Sequence, residues 1–141
     1  QAVPFFTDRL MLVAASDTKR VSGKEITAAQ LNHVPLLLPQ EGTGILRSIE
    51  GFLQQYQVQP QIAMAGISGD VIKQLVARDL GLAFLVGYSV RRELADGVLR
   101  EITITEGGPQ VQFSLVAHTQ RHGKPLALAL DALTSLDPKR V

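Results

Sequence analysis

Residues 80–86 read Leu-Gly-Leu-Ala-Phe-Leu-Val, an apolar run with no polar interruption. The run is too short for an ordinary buried helix, and a strand that is apolar at every position has to be covered on both faces. The sequence before it supplies the cover. From Thr43 onward, Ile45, Leu46, Ile49, Phe52, Leu53 and Tyr56 recur at helical spacing and share one face, while Arg47, Glu50, Gln54 and Gln57 take the other. A second helix is expected over 68–79, with Val71, Ile72, Leu75 and Val76 facing inward. Two further strands are expected, Val-Pro-Leu-Leu-Leu at 34–38 and Gln-Ile-Ala-Met-Ala-Gly at 61–66. The middle of the chain therefore alternates strand, helix, strand, helix, strand, which predicts a doubly wound α/β sheet with parallel strands and right-handed crossovers.

The flanks add shorter elements. Residues 8–16 form an apolar run that ends in small and polar residues, and they predict a buried strand. Thr27 is placed to cap a short helix, Thr-Ala-Ala-Gln-Leu. A third short helix within 88–97 ends at Gly97, a residue suited to the left-handed position after a helix. Strands are expected at 98–104 and 111–118, separated by the turn Thr-Glu-Gly-Gly-Pro-Gln. A closing helix over 124–136 carries Leu126, Leu130 and Leu133 in phase.

Composition removes whole classes of chemistry. The formal net charge of +1 over 141 residues gives no basic field for nucleic acid or anionic lipid. There is no cysteine, so disulfides, thiolate metal sites and cysteine nucleophiles are excluded. His33, His118 and His122 have no metal-ligand spacing on one helix, and no metal or other cofactor is expected. The phosphate-binding loop G-x-x-x-x-G-K-[ST] and the G-x-S-x-G elbow are both missing. Asp70, Asp79 and Glu41 are not forced together by anything in the pattern, so no acid/base pair emerges and no catalysis is expected. The first residues do not resemble a signal peptide, and no run is long and apolar enough to cross a bilayer. A cytoplasmic protein with no membrane partner is expected, and the absence of an initiator Met suggests a processed chain or one cut from a longer sequence.

What chemistry remains lies where strands give way to helices. Gly42-Thr43-Gly44 follows the carboxyl end of one expected strand, and Ser68-Gly69, with Gly66 near it, follows the next. In an open α/β sheet these helix starts gather at one edge, where backbone N–H groups lack intrahelical partners and ligands bind. Glycine admits a ligand to the backbone, the helix dipole favours negative charge and a hydroxyl adds a hydrogen bond. Thr43 and Ser68 are candidates to hold a small anion there. Ser and Thr are among the commonest helix caps, and each hydroxyl more readily serves only as a cap, worth roughly 1 kcal/mol without any ligand. Tyr88 and Ser89 are a weaker candidate at the same edge, with Ser89 alternatively capping the short helix. Arg47 and Lys73 lie one turn inside the two helices, as solvated surface or as supplements to an anion site.

Two stretches together resemble a known family. "DRLMLVAAS" followed by "ITAAQLNHVPLLLPQEGTGILRSIEGFLQQYQVQPQIAMAGISGDVIKQLVARDLGLAFLVGYSVRRELADGVL" is similar to the effector-binding domain of LysR-type transcriptional regulators, bacterial DNA-binding proteins. The stretch "GDVIKQLVARDLGLAFLVGYSVRRELADG" carries the clearest likeness, and its wording is similar to the branch that governs carbon fixation and sulfur assimilation. The resemblance implies two α/β lobes of the type 2 periplasmic-binding-protein kind with a small metabolite between them. Residues 17–105 would be a complete second lobe, whereas 1–16 and 106–141 would be crossover strands and a final helix of a first lobe only partly present. By position Thr43 would be an effector contact and Ser68 a less consistent one. DNA would be bound only through a domain outside this chain. Two departures stand out: Arg78-Asp79 replaces Ala-Gly at a helix end, and Val86-Gly87 stands where the family has Pro.

The expected function is thus ligand sensing in a regulator, with lobe closure shifted by a small, anionic metabolite. The alternative is a solute-binding protein of a transport system, which shares the fold. Apolar faces left without the rest of the first lobe predict a homo-oligomer.

Overall fold

The computed structural model describes residues 2–41 and 44–116. Gly42, Thr43, His118, His122 and the helix expected over 124–136 lie outside the described residues. In chain order the elements are β1 (Ala2–Ala15), β2 (Glu25–Ile26), a 3-10 turn (Ala28–His33), β3 (Pro35–Pro39), α1 (Gly44–Gln55), β4 (Gln61–Ile67), α2 (Gly69–Ala77), β5 (Leu82–Val86), a second 3-10 turn (Gly87–Val90), α3 (Arg91–Ala95), β6 (Leu99–Ile104) and β7 (Gln110–Val116). The short helix expected at 27–31 is the first 3-10 turn. Thr27 stands at its cap, and Gln30 Oε1 accepts the Thr27 N–H at 2.7 Å.

The strands lie in the order β2-β6-β1-β5-β3-β4, and β7 pairs with the first half of β1, from Ala2 opposite Val116 to Arg9 opposite Gln110. β3 runs parallel to both β4 and β5, as the alternation predicts. β1 departs from the parallel rule and runs antiparallel to β5 and β6. It precedes the strand-helix-strand units and so is not bound by a crossover to their direction, which leaves a mixed sheet.

Alternation along the central strands builds two cores. Leu36, Leu82 and Phe84 point to the face covered by Ile49 and Phe52 of α1, whereas Leu37, Ala83 and Leu85 point to the face covered by Ile72 and Val76 of α2. All five residues of β5 are buried, as a strand covered on both faces requires. Phe84 meets the Phe52 ring edge-on at a centroid distance of 5.8 Å. Val71 was expected inward but is 43% exposed. On a two-turn helix lying on a sheet, the Ile72 and Val76 stripe makes the contact, and Val71 falls about 100° round from it. β4 is an edge strand with Ile62 and Met64 exposed, so continuous apolarity did not imply full cover there.

Each helix ends in the same way. The N–H after the left-handed residue bonds back five positions: Val58 to Leu53, Leu80 to Leu75 and Val98 to Glu93, at 2.8, 3.1 and 3.0 Å. Gly97 takes the left-handed position of α3, with φ of 74°. In α1 and α2 that position falls to Gln57 and Asp79, with φ of 54° and 60°. A side chain there costs about 1 kcal/mol or more relative to glycine. Asp79 has a compensation, because its carboxylate accepts the Thr18 hydroxyl at 2.7 Å and pairs with Arg20 at 3.4 Å. The Arg78-Asp79 departure thus moves the turn from glycine to a side-chain brace. Gln57→Gly is expected to raise stability by up to about 1 kcal/mol, while Asp79→Gly is expected to lower it by about 1 kcal/mol because buried Thr18 loses that acceptor. Urea unfolding of the two variants should show opposite signs, and equal signs would contradict the brace.

Candidate functional site

The strand order reverses beside β3. From β3 the chain crosses through α1 to β4 on one side, then returns through α2 to β5 on the other. Carboxyl ends of parallel strands at such a reversal leave a crevice, because the two helices depart on opposite faces. A cleft of about 240 Å³ occupies it. Its walls are the end of β3 (Pro39, Gln40), the first turn of α1 (Ile45), the β4–α2 junction (Ile67, Ser68, Gly69, Ile72) and the end of β5 with its 3-10 turn (Phe84 to Val86, Tyr88, Ser89).

Ser68 and Gly69 are brought into this cleft, as expected. Ser68 occupies the cap position of α2 with extended backbone (φ −68°, ψ 153°), and its carbonyl accepts the first helical N–H, from Ile72, at 2.9 Å. Its hydroxyl makes no capping hydrogen bond. A Cβ added at Gly69 would meet nothing within 4 Å, so the space over the start of α2 is open. Gly44, the first residue of α1, stands next to Ile45 but turns toward β7, where an added Cβ would sit 4.0 Å from Val111 Cγ2. Thr43 and Gly42 lie outside the described residues.

Two expectations about polar groups are corrected. Ser89 does not cap a helix: its hydroxyl donates to the Val86 carbonyl at 2.7 Å, which holds the 3-10 turn closed. Lys73 is neither solvated surface nor an open anion ligand. Its ammonium donates to the Ser89 carbonyl at 3.0 Å and pairs with Glu93 at 3.4 Å, so it straps α2 to the exit of β5. Arg47 is exposed on α1 and does not line the cleft. Asp70 is exposed in the first turn of α2, where a carboxylate complements the helix dipole. Among the described residues, no group of three or more His, Cys, Asp or Glu side chains could hold a metal ion.

The apolar floor, Ile45, Ile67, Phe84 and Val86, was read in the sequence only as core. These residues follow core periodicity, and nothing in that pattern marks which ends of the strands stay uncovered. A larger, open groove of about 470 Å³ runs between α1 and the turn after β6. It lies along the flank of α1, away from the helix starts, and the Glu106 carboxylate there already accepts the Ala28 N–H at 2.8 Å. Size alone favours that groove, but the free backbone donors and the uncommitted hydroxyl favour the cleft.

Residues 1–135 match the LysR substrate binding domain. The chain belongs to this family. Among curated LysR-type relatives, it is 34% identical over 98 residues to the RuBisCO operon transcriptional regulator of Acidithiobacillus ferrooxidans, covering 70% of this chain and 32% of that protein. It is 39% identical over 90 residues to the transcriptional regulator CbbR of Xanthobacter flavus, covering 63% of this chain and 27% of that one. The chain thus spans about a third of the length of these LysR relatives, which are transcriptional regulators and not transporters. The regulatory domain of Synechocystis CcmR in complex with 2-PG superposes with a TM-score of 0.78 at 19% identity, over 96% of this chain and 65% of that one. The effector binding domain of QuiR in complex with shikimate gives 0.74 at 16%, over 95% and 63%. The LysR regulatory fold, of the type 2 periplasmic-binding kind, is therefore shared. No helix among the described residues is long and apolar enough to cross a membrane.

Proposed function

We propose that this chain is the sensing part of a LysR-type transcriptional regulator, and that the cleft at the carboxyl edge of β3, β4 and β5 forms one wall of its effector site. The observation that carries the proposal is the family match over 1–135 together with an open cleft at the strand-order reversal of that fold. Ser68 and Gly69 would receive a carboxylate or similar anion at the start of α2, with Gly44 at the margin; Gly42 and Thr43 join them on sequence position alone. Residues 17–105 would be the second lobe, and 1–16 and 106–141 would lead to a first lobe that closes over the ligand. Binding would act by population shift between open and closed lobes, without catalysis. DNA contact would come from another part of a cytoplasmic protein.

Determining the coding sequence upstream of Gln1 tests this directly. A winged helix-turn-helix and linker helix are expected there, and an export signal would overturn the regulator reading. Exposed Ile62 and Met64 on β4 also support self-association. Sedimentation of the intact protein should give a dimer or larger species, and a monodisperse monomer at high concentration would contradict it.

A further inference from the structure

β1 changes partners part-way along its length. From Ala2 to Arg9 it pairs with β7, whereas Leu10 to Val13 pair with β5 and Leu12 to Ala15 with β6. β7 meets it at the same level, opening with Gln110 opposite Arg9 just after the Pro109 carbonyl accepts the Leu10 N–H at 2.9 Å. Two strands thus leave the main sheet side by side, and a two-stranded ribbon twists more freely than a wide sheet. The turn that feeds β7 is built on glycine: Gly107 has φ of 88°, and an added Cβ at Gly108 would sit 3.2 Å from the Leu10 carbonyl oxygen. Pairing of β1 with β6 stops at Leu12 opposite Ile102, and a cavity of about 200 Å³ opens beside that point. Ile102 and Ile104 line it from the sheet, and Arg9, Gly107 and Gly108 line it from the ribbon and its turn. One ion pair spans the gap. The Arg9 guanidinium, on the ribbon, donates to both carboxylate oxygens of Glu101 on β6, with Nη2 to Oε1 at 3.4 Å. Glu101 stands opposite Val13, inside the paired part of the sheet. The two side chains are 53% and 29% exposed, so the pair adds little to folding. A weak contact is suited instead to biasing two arrangements of similar energy, where a few-fold change is enough.

We infer that Arg9 and Glu101 form a latch across the joint between ribbon and sheet, holding one of the angles at which the first lobe stands to the second. The inference rests on the proposed two-lobe reading. Breaking the pair releases the other angle, and because effector binding and lobe angle are linked, the latch sets what fraction of the protein is poised to bind.

The test is single-molecule energy transfer in the intact protein without any effector, with one dye on exposed α1 through Glu50→Cys and the other on the first lobe. Wild type is compared with Arg9→Gln, with Glu101→Gln and with the double reversal Arg9→Glu, Glu101→Arg. Each single variant is expected to change the ratio of the two lobe angles about two- to fivefold, both in the same direction, as suits an exposed pair. The double reversal should bring the ratio back to the wild-type value. Raising the salt concentration should move the wild type toward the single variants and leave Glu101→Gln nearly unchanged, because screening removes the same attraction. If two angles are seen but the single variants leave their ratio unchanged, or the reversal does not restore it, Arg9 and Glu101 are an ordinary surface pair and the latch is overturned while the two-lobe reading stands. A single angle, unmoved by salt and by every variant, would overturn both.

Discussion

Phe84→Ala is expected to lower the unfolding free energy by about 3–5 kcal/mol, the cost of emptying a large aromatic site in a packed core. The ring is 1% exposed, lies at the centre of the most deeply buried strand and meets Phe52 edge-on at 5.8 Å. Its loss removes one of the contacts that seat α1 on the sheet, and Ile49 and Leu36 in the same cluster cannot close the gap without moving backbone. Phe84 also forms part of the cleft floor, so the variant should lose ligand affinity along with stability. Chemical unfolding monitored by circular dichroism measures the effect. A loss below about 1 kcal/mol would mean that the α1 face of the sheet is not the tightly packed layer described.

Gly69→Val is expected to do the reverse, reducing effector affinity at least tenfold with a stability change within about 1 kcal/mol. An added side chain here meets no neighbour within 4 Å, so folding is not obstructed. The same open space is where a ligand would approach the first N–H groups of α2, and a branched side chain takes it. Ser68→Ala is the milder companion. A hydroxyl bonded to a charged group contributes about 1.5–3 kcal/mol, and because this hydroxyl makes no capping bond, its removal should cost binding and little stability. Parallel affinity and unfolding measurements separate the two effects. A Gly69→Val protein that binds normally would remove α2 from the site.

The fold was largely legible because its strongest signals are redundant. The run at 80–86 had to be covered twice, and the helical periods at 45–56 and 68–79 supplied both covers. The direction of β1 was not legible, since residues 8–16 carry the same apolar pattern whichever way they pair. Val71 was misassigned for a related reason, as helical spacing places it beside the buried stripe and only the width of the sheet contact decides its exposure. In the cleft, the positions of Ser68 and Gly69 could be read from strand-helix boundaries and glycine. The strap from Lys73 to Ser89 and Glu93 could not, because it joins elements 16 and 20 residues apart through a carbonyl that any residue would present. The brace at Asp79 was visible as a missing glycine, but its partners, Thr18 and Arg20, lie about 60 residues away.

The most direct test of the account is hydrogen exchange of the intact protein with and without a saturating effector. Slowed exchange is expected in peptides spanning 67–72 and 84–90, at the start of α2 and the exit of β5, with little change across 99–104. Protection confined to α1 and the turn at 105–110, with 67–72 unchanged, would place the ligand in the open groove instead and contradict the assignment of the cleft.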